Sequence, residues 1–176
     1  SSDNNNINQK KEIEQKYQLI NSKRIFEKIL NEIEKKGICA IDTETNSLNI
    51  EKAELVGISL CYSEDISYYI PINHTTPDGS KRVNGQLDEK YVINLVNKIC
   101  ENKSILKIGQ NIKYDIRILN KYGVTFNSIA DTMLISYSID NGIYKHNLDD
   151  LSYNHLNHTT IKYKEVVGTG KNQITF

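Results

Sequence analysis

The order of apolar runs and turn residues along this chain predicts an α/β fold, a mixed sheet flanked by helices. Three strand-like runs follow one another before a long helical pattern, and a later strand is followed directly by a helix. Consecutive strands suit antiparallel pairing, whereas a strand reached through a helical crossover suits parallel pairing. We therefore expect a mixed sheet. The three successive runs span 38–44, 55–62 and 68–72, and the later strand spans 104–109.

The first elements carry clear boundary signals. Residues 17–20 predict a short strand, and Asn21 or Ser22 is expected to cap a helix that ends at Gly37. Apolar residues at helical spacing give this helix one face for burial. These residues are Ile25, Phe26, Ile29, Leu30 and Ile33.

The second half of the chain alternates loops and helices around its one strand. Polar residues with proline and glycine predict a loop over 73–85, and helical spacing then predicts a helix over 87–100. A helix is expected to begin near Ile112. Asp131 is interpreted as the N-cap of another helix, and a last one is expected to start after Asn147.

Length and composition favour one domain without a strong overall charge. The 176 residues include 22 basic and 22 acidic side chains, so any binding to nucleic acid must depend on a local site. No apolar stretch approaches the length of a membrane span, and we expect no membrane partner. Cys39 and Cys61 lie in apolar runs without metal-ligand spacing, which indicates a reducing compartment.

Two acids stand at the end of the apolar run that forms the first predicted strand of the sheet. Asp42 and Glu44 are two residues apart, so an extended strand directs both side chains to the same face. Carboxylates this close repel each other unless a proton or a cation neutralises them. Oxygen-only ligands favour a hard divalent cation such as Mg²⁺ or Mn²⁺.

A second polar segment begins where the later strand ends and a helix starts, over residues 109–115. Ligands of open α/β sheets bind at such junctions. Asp115 would lie on the first turns of the helix and can face Asp42 and Glu44 if the helix packs across the sheet. Three carboxylates from two segments would then bind one or two divalent ions, and two ions about 4 Å apart are the usual arrangement for phosphodiester hydrolysis.

Each of these signals also has an ordinary structural explanation. The acids after the strand could be solvated or cap a helix, and Asp115 could pair with Lys113 or Arg117. Tyr114 fits core packing as well as a binding site. The combination of both motifs, each at a strand end, favours the catalytic interpretation.

The same residues resemble a known family. Residues 42–48 (Asp-Thr-Glu-Thr-Asn-Ser-Leu) resemble the first exonuclease motif of the 3′–5′ proofreading domain of bacterial family-A DNA polymerases. Residues 109–115 resemble its second motif, and 131–137 and 168–176 resemble further stretches. The resemblance covers residue 17 to the end. It implies an RNase H-like fold of the DnaQ-like exonuclease type.

The resemblance also implies roles for individual residues. Asp42, Glu44 and Asp115 would be metal ligands and catalytic groups, with Glu44 helping to orient the attacking water. Thr43 would contact the 3′-terminal nucleotide through its backbone, and Leu48 would wedge against the terminal bases. The single-stranded backbone would be held near the scissile phosphate by Gln110, Asn111 and Lys113, with a contribution from Tyr114. The implied cofactor is Mg²⁺ or Mn²⁺, two ions in the complete site. The implied partners are a single-stranded DNA 3′ end and a polymerase domain of the same parent chain, in the bacterial cytoplasm at the nucleoid.

The family pattern is incomplete in this sequence. Its third motif, Tyr-x-x-x-Asp, would lie beyond Phe176, so we expect the fourth carboxylate and the C-terminal helix to be missing here and the fragment alone to be weakly active. The expected organisation is a linker or disordered tail over 1–16 and the exonuclease domain over 17–176. Two alternatives stay open: an RNase D-type exoribonuclease, and a non-catalytic nucleic-acid-binding domain of a polymerase.

Overall fold

A mixed β-sheet organises the computed structural model, which describes residues 16–140, 143, 145–162 and 165. Within these residues the sheet has six strands in the order β1-β4-β3-β2-β5-β6. The strands are β1 (Lys16–Leu19), β2 (Ile38–Thr45), β3 (Leu55–Ser63), β4 (Ile66–Pro71), β5 (Leu106–Gly109) and β6 (Ile129–Asp131). The helices are α1 (Lys23–Lys36), α2 (Glu89–Glu101), α3 (Lys113–Asn120), α4 (Thr132–Ile139) and α5 (Leu148–Leu156).

Strand pairing places β2 between an antiparallel and a parallel half of the sheet. β2 pairs antiparallel with β3, and β3 pairs antiparallel with β4. On its other side β2 pairs parallel with β5, which pairs parallel with β6. The edge strand β1 runs parallel to β4. The mixed sheet predicted from the sequence is therefore confirmed, and its central strand is the one that carries the two acids.

The hydrophobic core lies on one face of this sheet. Alternate residues of β2 and β3, such as Ile41 and Leu60, point into it and are directly paired across the strands. Helix α1 contributes Phe26 and Ile33, both fully buried, and burial of side chains of this size stabilises a fold by roughly 1.5–3 kcal/mol each. The opposite face of β2 carries Asp42 and Glu44.

Most predicted elements are confirmed, with boundaries within about two residues. Ser22 is the N-cap of α1, and Gly37 ends the helix in the left-handed conformation with φ 68°. Strand β6 was not predicted, because three residues carry no detectable alternation and the strand exists through its pairing with β5. Predictions for the tail over 1–16, apart from its last residue, and for the 168–176 stretch fall outside the described residues.

Two further observations concern the cysteines and the helices. Cys39, Cys61 and Cys100 are free cysteines, the first and last of them buried. No helix among the described residues is long and apolar enough to cross a membrane.

Candidate active site

The first half of the site lies at the carboxyl end of β2. Buried Thr43 points toward the core between the two acids, so Asp42 and Glu44 share the opposite face of the strand. Asp42 is exposed and Glu44 is partly buried. The pairing with β3 shifts register between Glu44 and Thr45, and the strand ends there. The predicted convergence of these two side chains on one face is thus present.

The second half of the site is Asp115, in the first turn of α3. Its side chain is only 2% exposed. The carboxylate oxygen Oδ1 accepts one hydrogen bond from the backbone N–H of Thr43 at 2.8 Å and another from the Thr43 hydroxyl at 2.6 Å. These bonds join β2 and α3 across 72 residues of sequence and place Asp115 beside the strand that carries the other two acids.

The three carboxylates interact electrostatically, and the pKa of each is raised. Desolvation and then the charge of Glu44 raise the pKa of Asp42 to about 6. Although Asp42 keeps solvent-accessible surface, many protein atoms surround its carboxylate, and this crowding is why desolvation dominates. Desolvation and the charge of Asp42 raise the pKa of Asp115 to about 6, against the opposing effect of the Thr43 hydrogen bonds. The pKa of Glu44 is raised by desolvation and by Asp115.

This cluster of negative charge has no basic counterpart in the part of the chain that the structure describes. The two ion pairs found there, Lys35–Glu32 and Arg117–Glu51, involve none of the three acids. The donor chemistry therefore suits a hard cation. The arrangement is not a finished metal site, because no group of three or more His, Cys, Asp or Glu side chains among the described residues could hold an ion.

Helix α3 also holds the loop that follows β2. The Tyr114 hydroxyl shares a hydrogen bond with the Thr45 hydroxyl at 2.7 Å and donates to the Ser47 carbonyl at 3.1 Å. Lys121, the residue directly after α3, donates to the carbonyls of Ile50 and Ala53. The loop over 46–54 is thus attached to the helix that carries Asp115, and Tyr114 is a tether of this loop as well as a packing residue.

Leu48 projects from this tethered loop into solvent. Its side chain is 94% exposed, so it takes no part in the hydrophobic core. A lone exposed leucine needs no explanation in general. Its exposure leaves the side chain accessible to a ligand.

The predicted residues before α3 are fixed by a different set of contacts. The Gln110 amide donates to the His146 carbonyl at 2.8 Å and accepts from the Thr132 hydroxyl at 2.6 Å. Asn111 has a positive φ of 56° and an exposed side chain, and Lys113 is exposed in the first turn. The side chains of Asn111 and Lys113 are therefore accessible, while that of Gln110 is engaged within the protein.

Asp131 caps α4 and also binds the segment that leads into α3. Its carboxylate accepts from the backbone N–H groups of Asn111 and Ile112 before α3, each at 3.0 Å. It also accepts from those of Met133 and Leu134 at the start of α4. The predicted capping role is confirmed, and its second half ties the start of α3 to α4.

Sequence reasoning missed one neighbour of the acids, Tyr69 on β4. Glu44 raises the pKa of the Tyr69 hydroxyl, after the larger effect of desolvation. Alternation along β4 separates Tyr69 from buried Tyr68, but only the register of three strands reveals that it shares a face with the acids. No local signal could have supplied that register.

The mixed sheet flanked by helices is a fold of the RNase H-like class. A family model of the 3′–5′ exonuclease found in family-A DNA polymerases matches residues 17–176. The chain belongs to this 3′–5′ exonuclease family and is a hydrolase domain.

Bacterial DNA polymerases I are among the characterised proteins that the chain is similar to. The chain is 39% identical over 153 residues to that of Rhizobium leguminosarum, covering 80% of this chain and 15% of the polymerase. It is 32% identical over 163 residues to that of Pseudomonas aeruginosa, covering 91% and 17% respectively. The chain thus spans about one sixth of the relatives that it matches.

Solved nuclease structures share the fold at low sequence identity. Escherichia coli RNase D, an exoribonuclease involved in structured RNA processing, aligns with a TM-score of 0.61 and 16% identity, covering 89% of this chain and 39% of that one. Brucella melitensis NrnC with bound Mg²⁺ aligns with a TM-score of 0.61 and 16% identity over 90% of this chain and 69% of that one. NrnC bound to pGG gives 0.62 and 16%, with coverages of 92% and 71%. At these identities the likeness establishes the fold alone.

Proposed function

We propose that this domain performs proofreading in a bacterial DNA polymerase I, removing mismatched nucleotides one at a time from the 3′ end of a DNA primer. The observation that carries the proposal is the seating of Asp115 on Thr43, which joins the helix start to the acidic end of β2. Family membership and the polymerase relatives support it. A polymerase domain in the same parent chain, and a cytoplasmic location at the nucleoid, are parts of the same proposal.

Divalent cations are the proposed cofactors, Mg²⁺ or Mn²⁺, with two ions in the complete site. Asp42, Glu44 and Asp115 would hold them, because three oxygen donors with raised pKa values offer uncompensated charge to a hard cation. Side-chain rotations would have to bring the three carboxylates together. The Mg²⁺ bound by the structurally similar NrnC supports the assignment. When bound, such an ion would polarise the scissile phosphate and make water a better nucleophile.

The chain's own groups supply orientation. The two Thr43 donors fix one oxygen of Asp115 and leave its second oxygen, Oδ2, for a ligand. Glu44, partly buried next to them, is the proposed group that accepts a hydrogen bond from the attacking water. The Thr43 N–H is already engaged by Asp115, so any contact of Thr43 with the terminal nucleotide would use its carbonyl.

The substrate-binding proposal uses the accessible residues around the acids. Leu48 would press on the terminal bases, and Lys113 and Asn111 would contact the phosphate backbone. Gln110 and Tyr114 would support these contacts through the segments that they hold. A mismatched end unpairs at lower cost than a matched one, so binding only a single strand is enough to favour removal of errors.

An exoribonuclease of the RNase D type has the same fold, and the alignment with Escherichia coli RNase D keeps that reading as the second candidate. The two differ in whether the site has room for a 2′-hydroxyl. Degradation rates on DNA and RNA oligonucleotides of the same sequence separate them. We expect the DNA oligonucleotide to be degraded faster, and a faster rate on RNA would favour the second candidate.

The full-length protein containing this chain tests the main proposal. We expect release of mononucleotides from the 3′ end of a 5′-labelled single-stranded DNA in Mn²⁺ and none in EDTA, with Asp42→Ala abolishing it. Asp65→Ala is the matched control, since Asp65 is an exposed acid in the turn between β3 and β4. Release that persists in Asp42→Ala would refute the assigned site, and no release by the unaltered protein would favour a non-catalytic binding domain.

A further inference from the structure

Tyr69 lies in one row with Asp42 across three strands. Tyr69 on β4 is directly opposite Ser59 on β3, and Ser59 is directly opposite Asp42 on β2. Directly opposed residues of antiparallel strands project to the same face. The neighbouring residue Tyr68 is buried on the core face instead, where its hydroxyl meets that of Tyr62 at 3.0 Å.

The hydroxyl end of Tyr69 occupies the space beside Glu44. The residue opposite Glu44 on β3 is Gly57. A Cβ added to Gly57 would lie 2.1 Å from the Tyr69 hydroxyl oxygen and 2.4 Å from its Cζ. Opposed Cβ atoms in such a pair are about 5 Å apart, and the charge of Glu44 acts on the Tyr69 hydroxyl. The hydroxyl therefore lies near the Glu44 side chain, while its hydrogen bond in the structure is the one with His74. Glycine at position 57 is what makes room for it.

His74 holds the Tyr69 hydroxyl in this place. The Tyr69 hydroxyl oxygen and Nε2 of His74 are 2.6 Å apart, and the two rings meet edge to face at 5.7 Å. The backbone of His74 is itself bracketed by the Gln86 side chain, which accepts from its N–H at 2.8 Å and donates to its carbonyl at 2.9 Å. Desolvation lowers the pKa of His74, so its ring is neutral at pH 7 and has one N–H.

We propose that Tyr69 is a positioning residue for the exonuclease reaction, whose hydroxyl, held by His74 and admitted by Gly57, donates a hydrogen bond that orients the Glu44 carboxylate. A carboxylate only accepts hydrogen bonds. In the proposed arrangement His74 would donate from Nε2 to the Tyr69 oxygen, and the tyrosine proton would be left for Glu44. This inference rests on the proposed function, because it assigns Tyr69 a task only if Glu44 takes part in hydrolysis.

Removing only the hydroxyl tests the proposal in the full-length protein. Tyr69→Phe keeps the ring over Gly57, and we expect kcat on single-stranded DNA to fall about tenfold, the equivalent of one hydrogen bond lost from the transition state. KM, the Kd for the same oligonucleotide in EDTA and the thermal midpoint should change little. Tyr68→Phe is the matched control, because it removes a bonded hydroxyl from the adjacent residue on the core face, and its kcat should be unchanged.

His74→Leu provides an independent second arm. It should lower kcat to the same extent as Tyr69→Phe, and the double variant should show no further loss, because both changes remove one oriented hydroxyl. His74→Gln keeps a donor and should restore part of kcat. Unchanged kcat in Tyr69→Phe, or additive losses in the double variant, would overturn the inference while leaving the exonuclease proposal standing. Absence of nucleotide release by the unaltered protein would overturn both.

Discussion

Asp115 should destabilise the fold when it is ionised, and Asp115→Asn should relieve that cost. Asparagine has nearly the same shape and keeps a side-chain oxygen for the two Thr43 donors. What it removes is a charge on a side chain that is 2% exposed and lies near two other acids. Stability and activity should therefore change in opposite directions.

The magnitude follows from the pKa of Asp115. Its pKa is about 6 in the folded chain and has an ordinary value of 3.8. At about 1.4 kcal/mol per pH unit, this difference corresponds to about 3 kcal/mol. The folded chain binds the extra proton, so the stabilising effect of protonation is complete below pH 3.8 and is lost as the pH rises through 6.

Urea unfolding of the chain in EDTA at pH 4 and pH 7.5 measures this effect. We expect Asp115→Asn to raise the free energy of unfolding by about 3 kcal/mol at pH 7.5 and by much less at pH 4. Asp65→Asn, which alters an exposed acid, should not raise it. Added Mg²⁺ should stabilise the unaltered chain more than the variant, since a ligand of the folded state stabilises by mass action.

Two outcomes would refute this reasoning. If Asp115→Asn destabilised the chain at pH 7.5, the hydrogen bonds from Thr43 to the charged carboxylate would stabilise the fold by more than its desolvation costs. If the variant and the unaltered chain showed the same change in stability between pH 4 and pH 7.5, Asp115 would not be the group that titrates. Exonuclease activity, measured in parallel, should be lost in the variant in either case.

Further substitutions test the loop and the caps. Leu48→Ala should change the free energy of unfolding by no more than about 0.5 kcal/mol, because the side chain is 94% exposed. KM for single-stranded DNA should rise several-fold. An unchanged KM would show that Leu48 does not press on the terminal bases. Tyr114→Phe should lower the free energy of unfolding in urea by about 1 kcal/mol, because the hydrogen bonds to Thr45 and Ser47 are lost. It should also raise KM, as Leu48→Ala does. A loss of stability with an unchanged KM would show that Tyr114 has only a packing role. Asp131→Ala should lower the free energy of unfolding by about 2 kcal/mol or more, since the start of α4 and the segment before α3 both lose their hydrogen-bond acceptor. A loss below about 1 kcal/mol would mean that water takes over these hydrogen bonds.

Local signals in the sequence predict most of the elements. Ser22 and Gly37 bound α1 because capping and the left-handed conformation depend on the residue type itself. The pairing of Asp42 with Glu44 on one face follows from the two-residue period of a strand. These inferences need no knowledge of distant residues, and each was correct.

The remaining features depend on contacts between distant segments. Strand β6 is too short to have a pattern and exists through its neighbour β5. The hydrogen bonds from Thr43 to Asp115 and the approach of Tyr69 to Glu44 depend on helix packing and on register. A leucine such as Leu48 is usually buried in a core, and its exposure here depends on how the loop over 46–54 is held, which the sequence does not show.

Helix α3 has two attachments: Asp115 in its first turn binds β2, and Tyr114 together with Lys121, the residue after the helix, binds the loop over 46–54. A rigid helix cannot shift one of these attachments without the other. Any tilt of α3 would displace Asp115 and the loop that carries Leu48 by linked amounts, so the proposed catalytic group and the proposed binding group would move together. Substitutions on the outer surface of this one short helix could therefore shift both groups at once, without changing an acidic residue.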